Sequence, residues 1–592
     1  MSTPYQFTGS DTVQELQIER FAGVDFSGNE TKIDWSRSPD ACNMIADDSG
    51  YPVKRTGYRR KYQFSGSVYG IHVLDNTLLC HAGTELYRVK DNGTVELLYL
   101  GMNTARSVSF VMNGKLWLLD GKTYLVYDGT RVQPVRNIAY VPTTTIGSPP
   151  EGGGTTLEAV NLLTPKRINT FVGDGKTKVF QLDCEDIDVD SVSCKEYAVD
   201  WVNAATGRVY LKTAPPDAGG LSNVTIQFSK TTGTSCIDAC RIFGMYGGQN
   251  DTRVFVSGDP AQPNVDWQSG LYDPSYFPDL GYTKIGSDSS AIMGYVRQYD
   301  TQLVLKSDGQ DAKQYLRSFS LDENDKPAFS LHQGAEAAGA VSMAAIVSFH
   351  GTPYYLSAEG VMGIYGTNVS ERRIISGVSQ RIDPKLCRQN LSEAVAFTWN
   401  GMYYLAVGGQ CYVADGRQME NGIPEWYYWE NIPAVCFAEY QDALWFGTAD
   451  GRLCMFCQSL DTDAYLDDGQ PIHAYWTTPF SDLGTAGQCK TILSCQPIFM
   501  PFGYSGAEVY GQTEKFYQKL TSCVFSQFTF AQMDFSRFSF RSAPNAVPVP
   551  IKRHIRRAYL FQVIMQNNHA EPFGLLGLHL RYQMQSPARR LM

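Results

Sequence analysis

The sequence predicts an all-β chain, a six- or seven-bladed β-propeller with an inserted small β-sandwich and a C-terminal β-domain. Three observations lead there. Composition is the first: 35 Tyr, 30 Phe and 54 Gly among 592 residues favour strands and turns over helices. The second is a repeated order of apolar run, Asn-Gly-type turn, apolar run, Gly-containing turn and apolar run. Asn-Gly between apolar runs marks a hairpin, because both central residues of a type I′ turn need positive φ. The third is period: turns fall near 76, 114, 249, 301, 351, 401 and 442, with one longer gap. A spacing of about 40 to 50 residues is that of four-stranded propeller blades. One such sheet cannot bury both faces alone, so blades stack and cover one another. A string of separate β-sandwiches, the competing architecture, would not keep this strand and turn order.

Residues 1–164 hold an N-terminal segment and the first blades. Within the segment, Lys54, Arg55, Arg59, Arg60 and Lys61 form a basic cluster, suited to a solvated strand end or a phosphate-facing patch. The repeat begins with Ile71–Leu74 and Thr77–Cys80 and continues with Val108–Val111 and Leu116–Leu119. Pro142 to Gly154, rich in Thr, Pro and Gly, reads as a linker. Residues 165–232 read as the inserted sandwich, with a hairpin over 167–182 and further strands at 192–202, 207–211 and 224–228. Residues 233–460 supply the remaining blades. The clearest copies lie in Ser392 to Phe456, where Ala396–Trp399, Asn400-Gly401 and Met402–Val407 are echoed by Val435–Ala438 and Leu444–Gly447. Residues 461–592 form the C-terminal β-domain, either standing alone or sharing a strand with the first blade and closing the propeller.

Net charge is −10, so the surface as a whole offers no cationic footprint for nucleic acid. Met1 to Arg20 lacks a basic region followed by an apolar core, and no apolar run reaches bilayer length, so a soluble chain made in a cytoplasm is expected. The 14 Cys are spread from Cys42 to Cys523, a pattern read as reduced, buried thiols.

The search for chemistry yields no catalytic, cofactor-binding or metal residue. Gly173-Asp174-Gly175-Lys176-Thr177 has the end of a phosphate-binding loop, but Thr170 stands where the first glycine is needed and a strand follows instead of a helix. Cys454-x-x-Cys457 has ligand spacing, yet an offset of three on a strand turns the sulfurs to opposite faces. Cys236 and Cys240 lack a nearby His. Asp183, Glu185, Asp186, Asp188 and Asp190, like Asp461, Asp463, Asp467 and Asp468, do not follow calcium-loop order and read as solvated acids. Acids are plentiful, but nothing marks the carboxylate pair a glycosidase needs. His350 sits in a hairpin turn, a structural place. Trp426–Trp429 and the basic Lys552–Arg557 suit protein contacts, with a blade core and a basic edge strand as their structural alternatives.

Laid out this way, the chain resembles the tail hub or nozzle proteins of tailed bacteriophages, propeller components that close the distal end of a short tail. The likeness is carried by Phe21-Ala22-Gly23-Val24, Ala41-Cys42-Asn43 and Lys54-Arg55-Thr56-Gly57-Tyr58, by the blade repeat, and by the insert from Gly173-Asp174-Gly175 through Gly207–Leu211 to Ala214-Pro215-Pro216. It implies a homo-oligomeric ring, commonly a hexamer, docked to portal or adaptor proteins above and to tail fibres or a needle below. It also implies a virion location, assembly in the host cytoplasm, no stable membrane insertion, no cofactor and no enzymatic activity. Packaged DNA would be retained and released through a channel touched weakly and without sequence preference, since an acidic wall repels phosphate where a basic wall would hold it. The alternative is a carbohydrate-binding or carbohydrate-active β-propeller with its ligand at one mouth of the funnel.

Overall fold

A computed structural model describes residues 13–585 except 91, 232, 234, 324, 336, 368–369, 503 and 526–545. The repeat becomes a series of four-stranded antiparallel meanders, the blade unit of a β-propeller. Among the described residues six are built from consecutive strands, over 68–100, 108–134, 242–284, 292–333, 346–377 and 395–430. The seventh takes Ala434–Tyr440, Ala443–Thr448 and Arg452–Phe456 from its own stretch and Tyr58–Gln63 from the N-terminal segment. The chain is all-β, of the propeller class.

In three meanders the first hairpin follows the turn chemistry read from sequence. Asn113-Gly114, His350-Gly351 and Asn400-Gly401 all have positive φ at both residues. Gln441 and Asp442 adopt the same left-handed pair, with φ of 51° and 55°, without a glycine. The turn expected near 249 is wider, because its strands stop at Tyr246 and resume at Arg253.

Two compact units divide the chain. One, residues 69–343 with 367–373, holds the first four meanders and the insert. There neighbouring sheets hide each other's apolar faces: Leu74 and Leu79 meet Leu116 and Leu118, and Phe110 and Trp117 share a core with Val254 and Trp267. Ile242 and Ile285 pack with Ile292 and Val304 in the same way. Arg317 and Asp266, each 1 % exposed, form an ion pair under the Phe255 ring, 4.0 Å from the guanidinium.

Between the first two meanders lies a buried histidine pair. His72 contacts Ser107 and Ser109 at 2.8 Å each, and His81 contacts Ser107 at 2.9 Å. Burial, then the neighbouring His81 and Arg106, depress His72 to about 3. Burial depresses His81 to about 4, with Asp120 pulling the other way. Both imidazoles therefore stay neutral in the folded chain while the unfolded chain protonates them near pH 6.5. Because the unfolded state then binds more protons, stability falls as pH drops from about 6.5 to about 4. The expected slope is up to about 1.4 kcal/mol per pH unit for each imidazole. Urea midpoints measured across this window should fall steeply for the native chain and flatten in the His72→Gln/His81→Gln variant; equal slopes would refute the assignment.

The insert is a two-sheet sandwich. Its larger sheet orders Thr155–Thr156, Thr143–Ser148, Lys166–Phe171, Val224–Ser229 and Ser193–Cys194, and the smaller orders Val179–Gln181, Arg208–Leu211 and Val199–Asn203. Phe171, Phe180, Val209, Leu211, Ile226 and Phe228 fill the space between them. Two sequence readings are corrected here. Pro142–Gly154 is not a linker, since Thr143–Ser148 pairs in parallel with Lys166–Phe171, and the insert begins there and not at 165. Nor is 167–182 a hairpin: its two strands belong to opposite sheets, so that Phe171 and Phe180 meet across the core at 5.3 Å.

The other unit, residues 1–68, 344–366 and 374–592, holds the last three meanders, the N-terminal segment and the C-terminal domain. Among the described residues that domain has two sheets. One orders Val13–Ile18, Leu575–Met584, Lys490–Phe499 and Val547–Pro548, with Ile555–Ala558 also on Lys490–Phe499. The other orders Ala474–Thr477, Phe561–Asn567, Ser505–Thr513 and Tyr517–Phe525. Strand sharing with the first blade does not occur: all four strands of that meander come from 68–100, and the C-terminal domain instead receives a strand from the N-terminal segment. The alternation of Leu16 and Ile18 with Glu15 and Gln17 suits this half-covered edge. Among the described residues, no helix is long and apolar enough to cross a membrane.

Candidate functional site

Charge gathers where the N-terminal segment crosses the sixth and seventh meanders. The strand Ile423–Glu430 closes the sixth meander and is buried on both faces from Pro424 to Trp429, Trp426 being fully buried. The N-terminal segment covers it. The Val24 N–H donates to Trp426 O at 2.7 Å, the Asn43 N–H to Tyr428 O at 2.9 Å, and the Trp429 indole to Met44 O at 2.8 Å. Gly23 makes the approach possible: its φ is +78°, and a Cβ there would lie 2.4 Å from Trp426 O.

Two buried guanidinium groups pin this crossing. Arg37 forks onto both oxygens of Glu425 and donates to Ala22 O at 2.7 Å. Burial opposes its charge, but the hydrogen bond and charge of Glu425 hold Arg37 above its ordinary value. Arg55, 1 % exposed, forks onto Asp467 at 2.8 and 2.6 Å. Its remaining N–H groups reach Asn43 Oδ1 and Glu430 O at 2.9 Å each, and its guanidinium lies 5.5 Å from the Trp429 ring. Beside it, burial and then the Arg55 charge bring Lys54 down to about 7, while its ammonium donates to Asn567 Oδ1 at 2.9 Å and His569 O at 2.6 Å.

The basic cluster thus divides: Lys54 and Arg55 are internal ties, whereas Arg60 and Lys61 are exposed on the strand Tyr58–Gln63, as a solvated strand reading expects. Asp467 is correspondingly no solvated acid. Sequence reasoning kept these two groups apart, since 412 residues separate Arg55 from Asp467. Arg59 binds Asp461 and, at 3.0 Å, Asp463. Ligand atoms of Cys457, Asp461 and Asp463 lie within 4.8 Å of one another, but the Arg59 guanidinium already supplies the positive charge there.

The remaining candidates resolve into structure. Cys454 and Cys457 are both buried; burial pushes Cys454 to about 12 and raises Cys457 as well, and all fourteen cysteines are free thiols. In the Cys236/Cys240 pair, burial lifts Cys236 to about 11, and Cys240 donates to Cys236 O at 3.5 Å. Asp174 caps its own turn by accepting from the N–H groups of Lys176 and Thr177, so Gly173–Thr177 is a turn and not a phosphate loop. Glu185, Asp186 and Asp190 are exposed. His350, at φ 48°, approaches Gly401 O at 3.3 Å. Trp426–Trp429 face inward and take no part in an exposed contact surface. Lys552, Arg553 and His554 are exposed while Ile551 and Ile555 are buried, the pattern of a basic edge.

Fold and site together define a β-propeller-class chain with an inserted sandwich and a C-terminal sandwich latched by its own N-terminal segment. No family model and no curated protein matches it. Among solved structures it is similar to the computationally designed Ika8 protein, with TM-score 0.32 and 10 % identity over 68 % of this chain and 100 % of that one. It is similar also to BamB from Moraxella catarrhalis, with TM-score 0.30 and 7 % identity over 75 % of this chain and 98 % of that one. A structure provisionally assigned as a gluconolactonase gives TM-score 0.28 and 6 % identity over 68 % of this chain and 91 % of that one. These likenesses carry nothing about activity, and the fold rests on the sheets described above.

Proposed function

We propose that this chain is a virion structural protein without enzymatic activity, an oligomeric tail hub or nozzle that closes the distal end of a bacteriophage tail channel. The observation that supports it is the latch. One short N-terminal segment supplies a strand to the C-terminal sandwich and another to the last meander, and is fastened between them by the buried Arg37–Glu425 and Arg55–Asp467 pairs. Such ties join strands far apart in sequence and resist their separation, which suits a component that holds packaged DNA back. The net charge of −10 suits a channel that lets DNA slide, with weak and non-specific contact only. Its partners are further copies in a ring, hexameric in this reading, portal or adaptor proteins on one side and tail fibres or a needle on the other. It acts in the virion tail after assembly in the bacterial cytoplasm. Native mass spectrometry and negative-stain imaging of the purified full chain test the proposal. A closed ring of six copies with an axial channel is expected, and a monomer at the highest soluble concentration would overturn it.

A further inference from the structure

Alternation along the second sheet of the C-terminal sandwich places one set of side chains on a single face. Tyr475 stands opposite Gln566, which stands opposite Glu508. In the next row Thr477 faces Ile564, Ile564 faces Tyr510, and Tyr510 faces Lys519. In the third, Gln562 faces Gln512, which faces Tyr517. Glu30 and Asp40 of the N-terminal segment join Tyr475, Gln512, Tyr517, Gln562 and Gln566 of this face around a cavity of about 440 Å³. That size lies within the range of small-ligand sites, about 300–1,000 Å³.

We propose that this cavity is a binding site for a neutral oligosaccharide. The inference stands independently of the reading as a tail component, and its site lies on the C-terminal sandwich.

Three features point to that ligand class. Aromatic rings flank the face on both sides. Tyr510 and Tyr517 are stacked, with centroids 5.1 Å apart and planes 13° apart, and Tyr517 is 56 % exposed. On the opposite strand His473 and Tyr475 lie 5.3 Å apart. Two strand spacings of about 4.8 Å separate Tyr475 from Tyr510 and three separate it from Tyr517, roughly 10 to 14 Å, so an elongated ligand can touch both. The electron-rich ring faces suit the C–H faces of sugar rings.

Between the aromatics stand the amides of Gln512, Gln562 and Gln566. Gln512 and Gln566 carry both donor and acceptor, which matches hydroxyl groups that also do both, while the buried Gln562 has its N–H₂ engaged by Thr478 O at 2.8 Å. Several of these groups are already oriented. Gln566 donates to Glu508 at 3.0 Å and contacts His473 at 3.3 Å, Tyr510 donates to Glu508 at 3.0 Å, and Tyr475 donates to Asp40 at 3.2 Å. Burial and then Asp40 raise Tyr475, and burial and then Glu508 raise Tyr517, so both phenols keep their protons at neutral pH.

Charge decides between neutral and anionic glycans. Glu30 and Asp40 line the cavity, while Glu508 stands beside it, bonded to Gln566, Tyr510 and the Lys519 ammonium, and the Lys385 charge acts on Asp40. Hydrogen bonds from Lys519 and Gln566 hold Glu508 down at about 2, so it is ionised. Uronates, sialosides and nucleic-acid phosphates would meet net negative charge.

The test applies the full chain, in whatever oligomeric state it adopts, to an array of oligosaccharides built from neutral hexoses, N-acetylhexosamines or uronates, with titration calorimetry on the best binder. Binding to a neutral oligosaccharide is expected, weakened at least about tenfold by Tyr517→Ala and by Gln512→Ala. Melting temperature should not change in Tyr517→Ala, whose side chain is largely exposed. Failure to bind any neutral member, binding only to uronates, or unchanged affinity in both variants would each overturn the proposal. None of these outcomes depends on whether the chain forms a ring.

Discussion

Replacing Asp467 with Asn should lower the stability of the unit containing the C-terminal sandwich by about 3–5 kcal/mol, because a buried guanidinium loses its counter-charge. Arg55 has no route to water from its 1 % exposed position, and the other groups on it, Asn43 Oδ1, Thr56 O and Glu430 O, are neutral. Its proximity to Trp429 supplies the readout, since indole fluorescence will report the local transition in urea. The same loss is expected from Arg55→Ala, which strands Asp467. The double variant Arg55→Met/Asp467→Leu should recover most of it, because two apolar groups of similar volume remove both desolvation penalties. A double variant as unstable as the singles would show that geometry, and not charge, holds this crossing.

Gly57→Ala should be as damaging for a different reason. A Cβ at Gly57 would lie 1.9 Å from Leu466 O and 2.5 Å from Leu466 C, both backbone atoms that cannot swing aside. Gly57 is held on both sides, donating its N–H to Ala464 O at 2.7 Å and accepting from Cys457 N at 2.8 Å. Relief therefore means withdrawing the adjoining strand Tyr58–Gln63 from the seventh meander. The expected loss is at least about 3 kcal/mol, above the usual range for overpacking. Hydrogen exchange should show Tyr58–Gln63 and Arg452–Phe456 losing protection together. Gly233→Ala, where an added Cβ meets nothing within 4 Å, is the control and should be silent.

Local features were legible in the sequence. Asn113-Gly114 and Asn400-Gly401 announce their hairpins because positive φ at two successive residues is a requirement of the turn itself, whatever surrounds it. The apolar runs flanking them announce buried strands for the same reason. The insert was legible as a β-sandwich but not in its pairing. Ser148 to Lys166 and Phe171 to Val179 are connections that cross between partners, and nothing in the residues on either side states which sheet they join. The face with Gln512, Gln562 and Gln566 was invisible for a related reason: its rows draw on four strands from 474 to 525 and 561 to 567, and a mixture of Gln, Tyr and Glu reads as an ordinary solvated surface until register aligns it.

By itself, then, the sequence determined the all-β character, the blade repeat and the existence of an insert, because strand alternation and turn dihedrals are properties of a few consecutive residues. Only the tertiary structure decided that Tyr58–Gln63 completes the last meander, that Val13–Ile18 joins the C-terminal sandwich, and that Arg55 is neutralised by Asp467. Those outcomes depend on which distant backbone edge is left unpaired and which distant carboxylate is buried beside a guanidinium. Hydrogen bonding and desolvation impose that choice only once the chain has been brought together.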